Sequence, residues 1–347
     1  MKAGPQLLPV NQLDHFYRGG DRIATLRGGS GAHGPYRPEE WIASMTTMTS
    51  DPDRGLSRLA DGTLLRDAVV ADPQRWLGAP HVDSYGGSTE LLVKLLDAAQ
   101  RLPVHLHPDR AFSRRHLGIR HGKTEAWIVL DAAQGAKVRL GFAESMRLAQ
   151  VRSMVDAGDS AGLVASLRAC ELRPGDAMLV PAGLPHSIDA GMFLLELQEP
   201  TDLSILLEAE GVPIDVRRDG HLGLGFDVAL GALRLDALDD SDLDGLLVRR
   251  EQGAAEITSL LPAAAGSYFR CHHLRAVDVS PVVAAGFAVA LVTAGAGRLA
   301  TESGEALALS RGDAAVVPFA AGPWHVEGAV EALVCRPPLP QYAAVMP

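Results

Sequence analysis

Residues 172–182 read LRPGDAMLVPA, and residues 309–319 read LSRGDAAVVPF. In both, a Gly-Asp pair (Gly175-Asp176, Gly312-Asp313) separates two short segments, and a proline (Pro181, Pro318) closes the second. Gly and Asp favour tight turns, Val favours a pleated strand, and proline cannot donate to a strand ladder. Each copy therefore predicts strand, turn, strand and a stop. Upstream of the second copy, Ala294–Leu299 and Gly304–Leu307 supply two further strand–turn units. Self-similarity of this kind predicts two related all-β modules in one chain.

Short strands at regular intervals, split by Gly/Asp turns, favour a double-sheet jelly roll of the cupin kind. The expected architecture is mainly β: two cupin (jelly-roll) barrels in tandem, over residues 1–225 and 263–347, with a connector at 226–262. A chain of 347 residues can bury two such cores. Leu64–Leu77 is a candidate helix. From about 142 to 171 the period changes, with Met146, Leu148, Val151, Met154, Val155, Leu163, Leu167 and Cys170 at helical spacing. That predicts a two-helix insertion in the first barrel, broken near Gly158-Asp159.

The copies differ where chemistry would sit. His186 lies five residues after Pro181, whereas the fifth residue after Pro318 is Pro323 and His325 comes two later. Only the first module has a His-x-His pair, His105 and His107, followed 18 residues after His107 by Glu125 in Gly122-Lys123-Thr124-Glu125-Ala126-Trp127. Strand alternation aims His105 with His107, and Lys123 with Glu125, to common faces. Imidazoles and a carboxylate gathered from separate strands suit a divalent transition metal. His107, Glu125 and His186 are the expected ligands, and His105 is either a fourth or a substrate-facing neighbour. Zn²⁺, one per chain, fits this N/O set, as do Fe²⁺, Mn²⁺, Co²⁺ and Ni²⁺.

Further residues join the set with competing readings. Glu196 shares a strand face with Gln198, and a carboxylate inside a barrel needs a metal, a base or a substrate. Asp202 is either a site residue or a turn cap. Lys94 is either a site lysine or an edge-strand residue with its head in water. His116 and His121 lie in Arg114–His121, read as a loop at the barrel mouth. His272, His273 and His325 belong to the second module, which is expected to pack and not to catalyse. His15, His33, His81 and His221 carry no pattern.

A formal net charge of −10 gives nucleic acid and anionic membranes little electrostatic purchase. Any anionic substrate must be held by a local basic cluster. Lysine is scarce: Lys2, Lys94, Lys123 and Lys137 stand among 32 basic residues, and two of the four fall in the motif region. Cys170, Cys271 and Cys335 show no CxxC spacing and predict buried thiols in a reducing compartment. No apolar leader or membrane-length stretch is evident, so a cytoplasmic location is expected.

These residues resemble the type I mannose-6-phosphate isomerases, a family of two-cupin zinc enzymes. The family pattern of KxLDA, QxHPD, GKTE, PGD-x-x-x-x-PxGTxHA and LLEIQ-x-SD is largely met by Lys94–Ala98, His105–Asp109, Gly122–Glu125, Pro174–His186 and Leu194–Asp202. The resemblance implies a metal-dependent aldose–ketose isomerase that converts mannose 6-phosphate to fructose 6-phosphate, or a related sugar, through an enediolate. It also implies roles for Lys123 as proton donor or relay, for Glu196 or Asp202 as base or support of the base, and for Lys94 beside them. The implied partner is a small sugar or sugar phosphate. Two departures stand out. His105 replaces the family's glutamine ligand, and Leu206 replaces an arginine four residues after the aspartate. Arg110, Arg114, Arg115, Arg217 and Arg218 are the candidates for supplying that charge. Leu206 also motivates a second reading, a non-catalytic sugar-binding or regulatory cupin. A third is a non-haem iron oxygenase, which has no evident use for a lysine beside the carboxylate ligand.

Overall fold

The computed structural model describes residues 4–29, 34–250 and 257–345, so His33 lies outside the described residues. Three antiparallel sheets make up the architecture. One has five strands in the order Ile205–Leu206, His105–Leu106, His186–Ile188, Val138–Phe142, Leu167–Cys170. A second has seven: Leu247–Val248, Ala177–Val180, Glu125–Ala132, Met192–Gln198, Leu92–Asp97, Glu39–Ile42, Gln12–Leu13. Side chains from both, including Leu96, Trp127, Val138, Leu140, Met178, Ile188 and Leu194, share one core. This is the first barrel.

The third sheet runs Gln6–Leu7, Ala314–Val317, Ala288–Thr301, Trp324–Arg336, Arg270–Ala276, Ile257–Ser259, with Ala306–Ser310 beside Ala288–Thr301. One of its faces encloses a separate core of Leu274, Val283, Val292, Leu299, Trp324 and Val334. The opposite face, with Phe269, Cys271, Val289, Leu291 and Leu333, packs on Leu95, Ile128, Leu179 and Leu195 of the first barrel. Alternation thus splits each central strand between two destinations. Val93 and Leu95 go to the shared interface while Lys94 and Leu96 point into the first barrel. Each fully buried Val, Leu or Ile is worth roughly 1.5–3 kcal/mol of transfer free energy, so a register slip would be heavily penalised.

The repeated turns are physically alike. Asp176 Oδ2 accepts from the Arg173 amide at 2.9 Å, and Asp313 Oδ2 accepts from the Ser310 amide at 2.7 Å. Gly175 and Gly312 hold φ of 94° and 93°, a left-handed conformation that a β-carbon would strain.

The insertion forms helices Leu148–Ala157 and Ser160–Ser166, parted at Gly158, with Asp159 capping the Gly162 amide, but Leu167 and Cys170, expected in the helical period, belong instead to the strand Leu167–Cys170. Val151, Val155 and Leu163 bury against Val104, Leu106, Phe142 and Ile205. Leu64–Leu77 is two helices, Leu65–Ala71 and Pro73–Leu77, because proline starts a helix but cannot continue one. Arg114–His121, expected as a loop, is helical in its first half, Arg114–Leu117, and non-helical from Gly118 to His121. Asp109 caps the Phe112 amide and starts Arg110–Leu117, which ends at Gly118. Residues 226–262 are divided between the sheets: Leu247–Val248 pairs with Ala177–Met178, and Ile257–Ser259 with His272–Leu274. Among the described residues no helix is long and apolar enough to cross a membrane. All three cysteines are free and buried.

Candidate metal centre

The histidines meet because their strands are neighbours. His105 lies opposite His186 on one side and opposite Leu206 on the other. Their rings stack edge to face with centroids 4.2 Å apart, and His107 lies 5.0 and 4.9 Å from the two. One ring nitrogen of each falls within 4.8 Å of the others.

The orientation of each ring is set by its backbone. His105 Nδ1 bonds to the Pro103 carbonyl at 2.7 Å, His107 Nδ1 to the Leu203 carbonyl at 2.7 Å, and His186 Nδ1 to the Leu184 carbonyl at 2.9 Å. A carbonyl only accepts, so Nδ1 carries the hydrogen and Nε2 presents a lone pair. Buried His186 Nε2 has no hydrogen-bond partner. Burial, ahead of every nearby charge, pushes all three rings down to about 3. They are neutral at ordinary pH, the form that binds metals.

Glu125 reaches in from the other sheet. Its Oε1 is 3.0 Å from His107 Nε2 and its Oε2 3.7 Å from His186 Nε2. Burial opposes its ionisation, but the Lys123 ammonium beside it holds the carboxyl well below the usual range. Lys123 Nζ stands 2.7 Å from Glu125 Oε1 and 3.1 Å from His107 Nε2. An ammonium among the ligand atoms shows the electrostatic demand of the cluster: one buried anion and several inward lone pairs favour a cation. Imidazole bonds from Nδ1 to carbonyls are the usual second layer around ligating histidines. The residues fit a divalent metal.

A second charged group lies deeper in the same sheet. Lys94 pairs in register with Trp41 and with Glu196, and Glu196 with Trp127. Lys94 is 3% exposed on a central strand, which excludes the edge-strand reading. Its Nζ lies 3.4 Å from Glu39, 3.6 Å from Glu196 and 4.8 Å from the centre of the Trp41 ring. Burial works against the ammonium, yet Glu39 and Glu196 raise Lys94 above its ordinary value. Glu39 accepts from the Tyr17 hydroxyl and, at 2.7 Å, from Trp41 Nε1. Burial disfavours its charge too, but Lys94 and His15 hold its carboxyl well below the usual range. For Glu196, burial and then Glu125 push the carboxyl up to about 8.

A cleft of about 580 Å³ opens over these groups, lined by His15, Tyr17, Glu39, Arg54, His105, Asp202 and Leu206 among others. Asp202 both lines the cleft and ties a loop: its carboxylate accepts from the Thr49 amide at 3.0 Å and its carbonyl from the Thr49 hydroxyl at 2.7 Å.

No family model matches the chain. Over 169 residues it is 32% identical to the mannose-6-phosphate isomerase of Streptococcus mutans, covering 48% of this chain and 50% of that enzyme. Over 122 residues it is 33% identical to the mannose-6-phosphate isomerase ManA of Bacillus subtilis, covering 35% and 38%. The matched stretches span half or less of these enzymes' length. In three dimensions, 96% of the chain superposes on 99% of the crystal structure of a Bacillus subtilis mannose 6-phosphate isomerase, with TM-score 0.73 and 21% identity. A mutant phosphomannose isomerase from Salmonella typhimurium gives TM-score 0.73 at 16% identity, over 96% and 100% of the two chains. The chain has the fold of the mannose-6-phosphate isomerases.

Against the mannose-6-phosphate isomerase pattern, Leu206 is the telling departure, because it sits in the ladder beside His105 at the cleft. None of the five arginines expected to replace the lost charge lines the cleft. Arg110 is buried and donates to Glu199 Oε1 at 2.5 Å; Glu199 Oε2 in turn accepts from the Thr124 amide, so this pair orders the Lys123-Thr124-Glu125 segment. Arg114 and Arg115 are exposed on the helix, and Arg217 and Arg218 engage the Asp156 carbonyl and Asp219. Arg54, which sequence reasoning passed over, does line the cleft. Glu39, His15 and Tyr17 were missed as well. For Glu39 a signal existed: it shares a strand face with Trp41, while neighbouring Glu40 turns away to Arg27.

Proposed function

We propose that the chain is a metal-dependent aldose–ketose isomerase of the mannose-6-phosphate isomerase type, interconverting mannose 6-phosphate and fructose 6-phosphate or a closely related sugar. The observation that carries the reading is the buried cluster of three neutral imidazoles and Glu125 at a sugar-sized cleft, on a fold shared with those enzymes. We assign His105, His107, Glu125 and His186 as ligands of one Zn²⁺ per chain. When bound, the ion supplies Lewis acidity toward the sugar carbonyl and its neighbouring hydroxyl oxygen.

The chain's own residues do the rest. Aldose–ketose exchange removes the proton on C2, leaves an enediolate, and returns a proton to C1. Asp202 presents a carboxylate to the cleft and is the better placed base. Glu196, whose carboxyl burial and then Glu125 push up, lies behind the cleft lining 3.6 Å from Lys94 and supports the base from there. Lys123 carries an ammonium hydrogen toward oxygen developing negative charge. General acid–base help of this kind is worth roughly 10²–10⁴ in rate. Arg54 takes the place of the absent arginine as the cleft's guanidinium: its Nη2 bonds to the Asp14 carbonyl at 3.0 Å and lies 3.8 Å from the Asp14 carboxylate, and its remaining donors are left for a phosphate. Free buried thiols support a reducing, cytoplasmic setting.

The test is incubation with mannose 6-phosphate in deuterated water. Fructose 6-phosphate should form, with deuterium entering the aldose at C2. Arg54→Gln should raise KM for the phosphate sugar about tenfold with little change in kcat, as loss of one ground-state charge contact would. Leu206 favours the second reading, a sugar-binding cupin without turnover. Tight binding with no exchange at C2 would establish that reading instead.

A further inference from the structure

The second barrel, expected only to pack, contains an unexplained basic group. Arg270 on Arg270–Ala276 lies directly opposite Arg336 on Trp324–Arg336. Like charges facing each other across a strand pair destabilise a sheet. His272, two residues on, shares the face of Arg270. The three line a cavity of about 200 Å³ whose other walls include Ile257, Val283 and Val334.

Among the described residues, their hydrogen-bond partners are neutral. Arg270 Nε donates to the Pro337 carbonyl at 2.9 Å and Arg336 Nη2 to the Ala285 carbonyl at 3.0 Å. Arg336 is only 9% exposed, and its buried Nε has no partner. Among the described residues no carboxylate pairs with either guanidinium. The contrast lies one residue along the same strand: His273, together with Arg250 and Arg275, gathers around Glu331. Burial and then Arg336 push Arg270 down to about 10, and burial pushes Arg336 down as well. Arginine does not shed its proton to relieve such a conflict. A guanidinium pair of this kind, with Arg336 buried and Arg270 half-buried, is compensated by a counter-charge, and planar guanidinium forks match oxyanions.

We propose that Arg270, His272 and Arg336 form a binding site for a small oxyanion inside the second barrel, separate from the metal cleft of the first. The size of the cavity limits the ligand to a compact phosphate or a short aliphatic carboxylate. The apolar walls suit the alkyl part of the latter, and the two guanidinium groups suit either head group.

The site is tested by thermal unfolding and calorimetry of the full chain, with inorganic phosphate or butyrate titrated at constant ionic strength against chloride. We expect a saturable rise in melting temperature with a dissociation constant in the millimolar range or below. Arg336→Met should abolish it, and His272→Ala, a milder change, should weaken binding about tenfold while the variant stays folded. Saturation by phosphate alone identifies the phosphate source, by butyrate alone the carboxylate source, and by both the shared head-group chemistry. Absence of saturable binding by either anion, or binding unchanged in Arg336→Met and His272→Ala alike, would overturn the proposal.

Discussion

Replacing His107 by alanine is expected to empty the chain of its divalent ion and to stop isomerisation while the fold persists. The loss of rate should be at least the roughly 10²–10³-fold that follows removal of a single electrostatic stabiliser, since here the whole cation departs. The fold survives for a stated reason. Without His107, Lys123 still neutralises Glu125 at 2.7 Å, so no buried charge is left alone. What disappears is one inward lone pair and the bond that aimed it, Nδ1 to the Leu203 carbonyl. His121→Ala is the matched control, because His121 pairs with Glu90 at 3.0 Å and is not one of the three clustered imidazoles. Metal content by mass spectrometry, circular dichroism and the isomerase assay read the three parts separately. Turnover at the parental rate by a metal-free His107→Ala protein would end the assignment.

The residues legible in the sequence share a property: their geometry is set by spacing within one strand or turn. His105 and His107, Lys123 and Glu125, and the twin Gly-Asp turns need only alternation and turn chemistry to be aimed correctly. The helical insertion was legible for the same reason, since Val151, Val155 and Leu163 carry a local period. Tyr17, His15 and Arg54 were not, because their place at the cleft depends on pairing between segments far apart, and for Glu39 alternation gave only the face it shares with Trp41. Glu39 and Glu40 are identical in type and adjacent. Only the ladder between Glu39–Ile42 and the strand bearing Lys94 sends one into the barrel and the other to Arg27. The same holds for Arg270 and Arg336, which no local pattern joins and the sheet register sets face to face. The helix at Arg110–Leu117 was obscured differently. Its arginine-rich composition suggested a solvated loop, while the decisive signal was a single Asp109 cap.

The other large effect is expected at Lys94. This ammonium stands between two buried acidic side chains, 3.4 Å from Glu39 and 3.6 Å from Glu196. Of the groups that keep Glu39 ionised against burial, Lys94 is the foremost. Lys94→Ala therefore strands an anion in the barrel wall, and removing one partner of a buried pair costs about 3–5 kcal/mol. Urea unfolding of the chelator-treated protein should show the loss as a lower midpoint at unchanged slope. A Lys94→Met/Glu39→Gln double variant should recover most of it, because replacing both partners removes the conflict along with the attraction. The pH dependence has a definite direction. Glu39 is held below its unfolded value of 4.5, so its contribution is present above that value and fades as pH falls through the folded one. Lys94→Ala removes that contribution, and its deficit should be widest near neutrality and shrink in acid. A urea midpoint equal to the parent's, or a deficit flat from neutral to acid pH, would mean that Glu39 does not depend on Lys94 for its charge.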